Sequence, residues 1–321
     1  MDAKYRAKYR ACLPLQADKV FIIDGGLETT LIFEQNVDLP LFASFTLLDS
    51  EEGRATLSGY YARYAALARH HGLGFVLETP TWRANADWGA QLGFDSARLD
   101  ALNRRAIELV ADIRERFETD ASPMVLNGVL GPRGDGYEVG QMMSTAEAAD
   151  YHTPQIRSFA ASAADLVGAF TLTYAEEAAG IALAARAAGI PSVISFTVET
   201  DGRLPSGQSL REAIEQVDAE TDAAPAFFMV NCAHPLHVEP ALAGGGDWLA
   251  RIRGFEGNAS TLNHAELNAS PTLDPGDPVD FGRRYRSLRE RMKQLTVLGG
   301  CCGTSYAHIE QICLACLPEQ A

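Results

Sequence analysis

The stretch PSVISFTVETDGRLPSGQSLREAIEQVDAETDAAPAFFMVNCAHP (191–235) holds the pattern that decides the fold. Near its two ends, SVISF (192–196) and FFMV (227–230) are apolar on both alternating faces, as expected of strands covered by helices on one side and a core on the other. Residues 208–221 between them read as a helix. Parallel strands need a long crossover of this kind. The same alternation runs along the whole chain. Strands are expected at Val20–Gly26, Gly74–Thr81, Met124–Gly131, Asp165–Leu172, Pro191–Val198, Pro225–Cys232, Arg251–Ser260 and Leu295–Gly303. Helices are expected near 50–71, 95–118, 144–163, 174–188, 208–221, 235–250, 279–293 and 305–317. Eight strand–helix pairs are the count of a (β/α)₈ TIM barrel. A doubly wound open sheet shares the alternation, but no G-x-G-x-x-G follows the first strand.

Composition agrees with one large domain over residues 1–321, with 1–18 as an N-terminal extension. The 47% hydrophobic and 21% charged residues exclude a disordered chain. A formal charge of −15, from 27 Lys+Arg against 42 Asp+Glu, argues against nonspecific nucleic-acid binding. No apolar run is long enough to span a membrane. MDAKYRAKYRACLPL (1–15) has no apolar segment behind its charges, so it does not read as a secretory signal. The six cysteines are then thiols or metal ligands before they are disulfides, and a cytoplasmic location is expected. Gly131–Met143 and Asn258–Pro278, rich in Gly, Pro, Asn and Asp, read as long loops.

In such a barrel, chemistry is expected where the strands end. Those ends carry Asp24-Gly25-Gly26-Leu27-Glu28, Glu78, Glu199, Asn231-Cys232 and Gly299-Gly300-Cys301-Cys302-Gly303-Thr304. Cys232, Cys301 and Cys302 therefore converge on one rim from two strands. Adjacent cysteines on a regular strand face opposite ways, so both can serve one metal only if the chain turns, which the flanking glycines permit. Three thiolates suit a tetrahedral Zn2+ with its fourth position free. Such a metal would hold an incoming thiol as a thiolate. A rival structural cluster would join Cys301 and Cys302 to Cys313 and Cys316; those last two also read as thiols on the buried face of a helix. His234 and His237, just beyond Cys232, are weaker ligand candidates. The Asp-Gly-Gly turn offers a carboxylate and amides to the two ends of an amino acid.

Asp24-Gly-Gly, Asn231-Cys232 and Gly299-Gly-Cys-Cys-Gly-Thr304, in that order, resemble the homocysteine S-methyltransferase family. ISFTVETDGRLPSGQSL (194–210), GFEGNASTLNHAEL (254–267) and GGCCGTSYAHI (299–309) extend the resemblance over nearly the whole chain. It implies a (β/α)₈ barrel in which Cys232, Cys301 and Cys302 bind zinc. The reaction implied is SN2 transfer of methyl to homocysteine, giving methionine, from a donor of the S-methylmethionine, S-adenosylmethionine, betaine or methyltetrahydrofolate type. Asp24 would bind the acceptor's ammonium, and the amides of Gly25, Gly26 and Leu27 its carboxylate. Glu28, Glu78 and Glu199 would form an acidic rim suited to a cationic donor. The resemblance implies small-molecule partners only, without nucleic acid or membrane, and is compatible with a homo-oligomer. One position departs. The family usually has Glu at the end of strand four, where this chain has Phe170. Glu78 is the compensating candidate. The departure also leaves room for methyl transfer to a different thiol or selenol, or for a non-catalytic zinc- or thiol-binding protein.

Overall fold

Alternating strands with apolar residues on both faces can bury both only between an inner core and an outer layer of helices. The computed structural model, which describes residues 6–270 and 272–316, has this arrangement. Its strands are β1 (Phe21–Ile22), β2 (Gly74–Glu78), β3 (Met124–Leu130), β4 (Leu166–Leu172), β5 (Ser192–Phe196), β6 (Phe227–Ala233), β7 (Ile252–Gly257) and β8 (Val297–Gly300). All pair in parallel, and they close in sequence order into a barrel. Phe21, Ile23, Val76, Val193, Phe227 and Met229 point inward. Their neighbours Ile22, Phe75, Leu77, Ile194, Phe228 and Val230 pack outward under the helices. No helix among the described residues is long and apolar enough to cross a membrane.

Helix starts follow local capping chemistry. The Ser144 and Ser209 hydroxyls cap the helices Thr145–Ala160 and Leu210–Thr221, with Glu147 and Glu212 completing each capping box. One expected helix is much shorter than the sequence pattern suggests. Instead of spanning 235–250, it runs Pro235–Leu242, and a 3₁₀ turn covers Asp247–Arg251. Gly245 and Gly246 between them adopt positive φ, which no helix continues through. The loop 258–278 carries a short helix, His264–Ala269.

Residues 6–18 of the N-terminal extension close the end of the barrel opposite the strand C-termini. Leu13 and Leu15 join the inner core beside Phe21, Leu166 and Phe227. The amides of Lys8 and Tyr9 donate to Asp165 Oδ1 at 2.7 Å each, and Arg114 holds Oδ2 at 2.8 Å. The Arg10 guanidinium ties down the carbonyls of Ala160 and Ala164. Leu15→Ala should therefore lower the unfolding free energy by about 2–5 kcal/mol, read from urea-denaturation midpoints. A loss below about 1 kcal/mol would show that the extension is not a plug.

Candidate functional site

The C-terminal strand ends surround a pocket of about 440 Å³. β7 stands between the two cysteine-bearing strands, with Asn231, Glu256 and Gly299 in register across β6, β7 and β8. Cys232 leaves that ladder as a bulge, between the pairs Asn231–Glu256 and Ala233–Gly257, and its φ is +52°. A non-glycine residue there is strained, and the surroundings hold it in place. The Cys232 carbonyl accepts from His264 Nε2 at 2.8 Å and Asn258 Nδ2 at 3.0 Å.

A second left-handed residue, Thr171 (φ +61°), bulges from β4. Its N–H donates to Asn231 Oδ1 at 2.8 Å, and its hydroxyl accepts from Asn231 Nδ2 at 2.8 Å. The Ser195 hydroxyl also donates to Asn231 Oδ1, at 2.7 Å. Asn231 thus pins the β4 bulge beside the cysteine that follows it. After β8 the chain turns at Cys302-Gly303, with Gly303 at φ +79°. A side chain at Gly300 would strike Thr304. The turn presents both Cys301 and Cys302 to the pocket.

The Sγ atoms of Cys232, Cys301 and Cys302 all lie within 4.8 Å of one another. Cys232 and Cys301 are in bonding contact as a disulfide, with Cα atoms 5.4 Å apart, and Cys302 is a free thiol. Sulfurs about 2.3 Å from a tetrahedral zinc lie about 3.8 Å apart, so the reduced triad fits that ion with small movements. Disulfide and metal compete for the same sulfurs, because ligation needs thiolates. Without a metal, burial pushes the Cys302 thiol up to about 11. The rival cluster does not assemble: among the described residues, Cys313 and Cys316 stand outside every group able to hold a metal. Burial on the last helix raises both thiols, Cys313 to about 12 and Cys316 to about 11. His234 and His237 also stand apart. The first accepts from the Leu236 amide, and the second bonds the Thr261 carbonyl.

Asp24, Glu28, Glu78 and Glu256 all line the pocket, and so do Gly25, Gly26 and Leu27. Burial first, then the charges of Glu78 and Glu28, hold the Asp24 carboxyl well above its usual range. Burial, with Glu28 nearby, pushes Glu78 up to about 8, against the Asn127 amide that donates to it at 3.0 Å. Burial, with Glu78 and Asp24, drives Glu256 upward too. Glu199 is a correction to the expected rim. It turns away to His264 Nδ1 at 3.0 Å, and Glu256 on β7 takes its place among the pocket carboxyls. The Gly26 N–H already donates to the Thr304 carbonyl and hydroxyl at 3.1 and 3.0 Å.

Phe170 reaches the pocket as the sequence suggested and is 4% exposed. Trp82 lies against it, its indole N–H donating to the Phe170 carbonyl at 3.2 Å. Several lining residues were not anticipated: Glu256, Arg83 and Tyr137. Glu256 had a signal, a lone carboxylate inside the apolar strand GFEG (254–257). Tyr137, in the loop after β3, stacks on His264 at 4.1 Å, and its hydroxyl is 3.6 Å from Cys302 Sγ. No local pattern marks it.

The sequence model of a family described as homocysteine S-methyltransferase matches residues 21–316. Homocysteine S-methyltransferase 1 of Arabidopsis thaliana is 21% identical over 313 residues, covering 91% of each chain. Selenocysteine Se-methyltransferase of Brassica oleracea var. italica is 24% identical over 331 residues, covering 91% of this chain and 87% of that protein. Among solved structures, the metallated form of the homocysteine methyltransferase MmuM from Escherichia coli superposes with a TM-score of 0.70 at 20% identity. It covers 95% of this chain and 99% of that one.

Removing the Asn231 amide leaves the Thr171 N–H and the Ser195 hydroxyl without their buried acceptor. Asn231→Ala should cost about 2–4 kcal/mol in urea unfolding, and Ser195→Ala clearly less. A neutral Asn231→Ala would mean that the bulges do not depend on it.

Proposed function

Since this chain belongs to the homocysteine S-methyltransferase family, and is therefore an S-methyltransferase, we propose that it methylates the thiol of homocysteine from a small onium donor, giving methionine, at a zinc held by Cys232, Cys301 and Cys302. The observation that carries the reading is the meeting of three thiols within 4.8 Å in the pocket that Asp24 also lines. Zinc bound there would supply a Lewis acid that keeps the acceptor sulfur ionised at neutral pH.

The chain's own residues do the rest. Asp24 and Glu78 hold the acceptor's ammonium. The Gly25 and Leu27 amides take its carboxylate, the Gly26 amide being committed to Thr304. Trp82 and Phe170 wall the pocket with apolar surface, excluding water and confining the donor so that its breaking carbon–onium bond lines up with the attacking sulfur. Phe170 also favours a second reading, in which the acceptor is a different thiol or a selenol. One of the relatives is a selenocysteine Se-methyltransferase.

Under reducing conditions the protein should bind about one zinc per chain. Cys232→Ser should lose it, and Cys313→Ser should keep it, as read by elemental analysis. Zinc undiminished in Cys232→Ser would remove this mechanism.

Glu78 carries a pH signature. A carboxyl raised to about 8 is mostly protonated at neutral pH, and a docked ammonium favours its ionised form. Amino-acid binding at pH 7 should therefore release a proton, and affinity should rise with pH toward that value. L-Methionine, which has no thiol proton to lose, isolates the effect in calorimetry run in buffers of different ionisation enthalpy. Glu78→Gln should weaken homocysteine binding by more than about tenfold and reduce the proton release to the share that Asp24 contributes. Unchanged affinity would assign the ammonium elsewhere.

A further inference from the structure

Among the carboxyls of the pocket stands one guanidinium whose sole ion pair among the described residues is a long one. Arg83, in the turn after β2, lines the pocket, and its side chain is only 10% exposed. Its plane is held between two indoles, with Cζ 4.6 Å from the Trp82 ring centre and 3.6 Å from that of Trp88. Nε and Nη1 are buried without a hydrogen-bond partner among the described residues. The one ion pair is loose. Asp135 Oδ2 lies 3.9 Å from Nη2 on a side chain 44% exposed, and Asp135 Oδ1 is committed to the Tyr137 and Glu138 amides of its own loop. Glu28, the other carboxyl near this charge, accepts the Ser44 hydroxyl at 2.7 Å. A buried guanidinium with two unpartnered nitrogens is costly unless an anion reaches it.

We propose that Arg83 is the receptor for the carboxylate of the methyl donor. The inference rests on the methyl-transfer reading. Arg83 presents a fork suited to a planar carboxylate, and the indoles fix its orientation. The surroundings narrow the ligand further. Asp24, Glu28, Glu78 and Glu256 line the same pocket, and a single guanidinium among them can neutralise one carboxylate but not a phosphate or a polycarboxylate tail. A zwitterion, one carboxylate joined to an onium centre, matches a single cation set among acids. The acceptor's two ends are already assigned to Asp24 and Glu78 and to the β1 turn. Arg83 lies instead on the flank of Tyr137, one of the groups whose charge it feels.

The test compares S-methyl-L-methionine with its carboxamide, which keeps the sulfonium and loses the carboxylate. Wild-type protein should prefer the acid, both in KM and in calorimetric binding without acceptor. Arg83→Gln should raise the acid's KM and Kd by about 30-fold, the loss expected for one charge-assisted pair. The carboxamide and the KM for homocysteine should change by less than about threefold. Arg83→Lys should recover part of the loss. An Arg83→Gln protein that still prefers the acid, or that loses homocysteine affinity instead, overturns the proposal and leaves the methyl-transfer reading standing. Binding of the acid through Arg83 with no turnover of any onium donor supports the receptor and sinks that reading. Wild-type protein that binds neither form overturns the proposal.

Discussion

The site depends on one backbone constraint: Cys232 must leave the strand that carries it. β7 lies between β6 and β8, so sulfurs from the two outer strands meet only if the chain turns inward on at least one side. Cys232 does this at φ +52°, where an L-residue with a side chain is strained. The cost is offset locally. His264 and Asn258 hold its displaced carbonyl, and the preceding Asn231 ties the matching bulge at Thr171. The loops that hold these partners are therefore as much part of the thiol site as the cysteines themselves. His264 links the two, since it also carries the Tyr137 ring that stands over Cys302.

A second constraint is electrostatic. The pocket gathers six carboxyls around one cation, and burial holds four of them, Asp24, Glu28, Glu78 and Glu256, above their ordinary range. An empty pocket of this kind keeps protons it would surrender to a bound cation. Substrate charge then does part of the work that protein counter-charges do elsewhere. Such a pocket would suit the amino-acid and onium ligands of the proposed reaction, which bring ammonium or sulfonium charge with them. Under the proposed function, Glu78 and Glu256, once ionised beside a bound cation, would supply from β2 and β7 the charge that Phe170 does not.

Much of this was legible in the linear chain. Double-faced apolar runs such as SVISF and FFMV can be satisfied only by a covered parallel sheet, and eight strand–helix pairs set the barrel. The glycine-flanked Cys301-Cys302 and the Asn231-Cys232 pair announced a thiol site because they stand at strand ends. Glu199 misled for the same reason. It occupies a strand end too, yet its side chain turns to His264. The expected helix over 235–250 failed where Gly245 and Gly246 break it.

The sequence by itself determined which strands exist, which of their faces are apolar and which strand ends carry thiols and acids, because those follow from period and chain order. Only the tertiary structure decided which polar groups share the pocket. Glu256 enters it because barrel closure places β7 between the cysteine strands. Arg83, stacked between its near neighbours in the chain Trp82 and Trp88, meets Glu28 and Asp135 only because barrel closure brings those segments beside its turn. Cys313 and Cys316 are left out because their helix packs on the outside of the barrel. Neighbours of this kind are set by how distant segments pack, and no local pattern of residues records that.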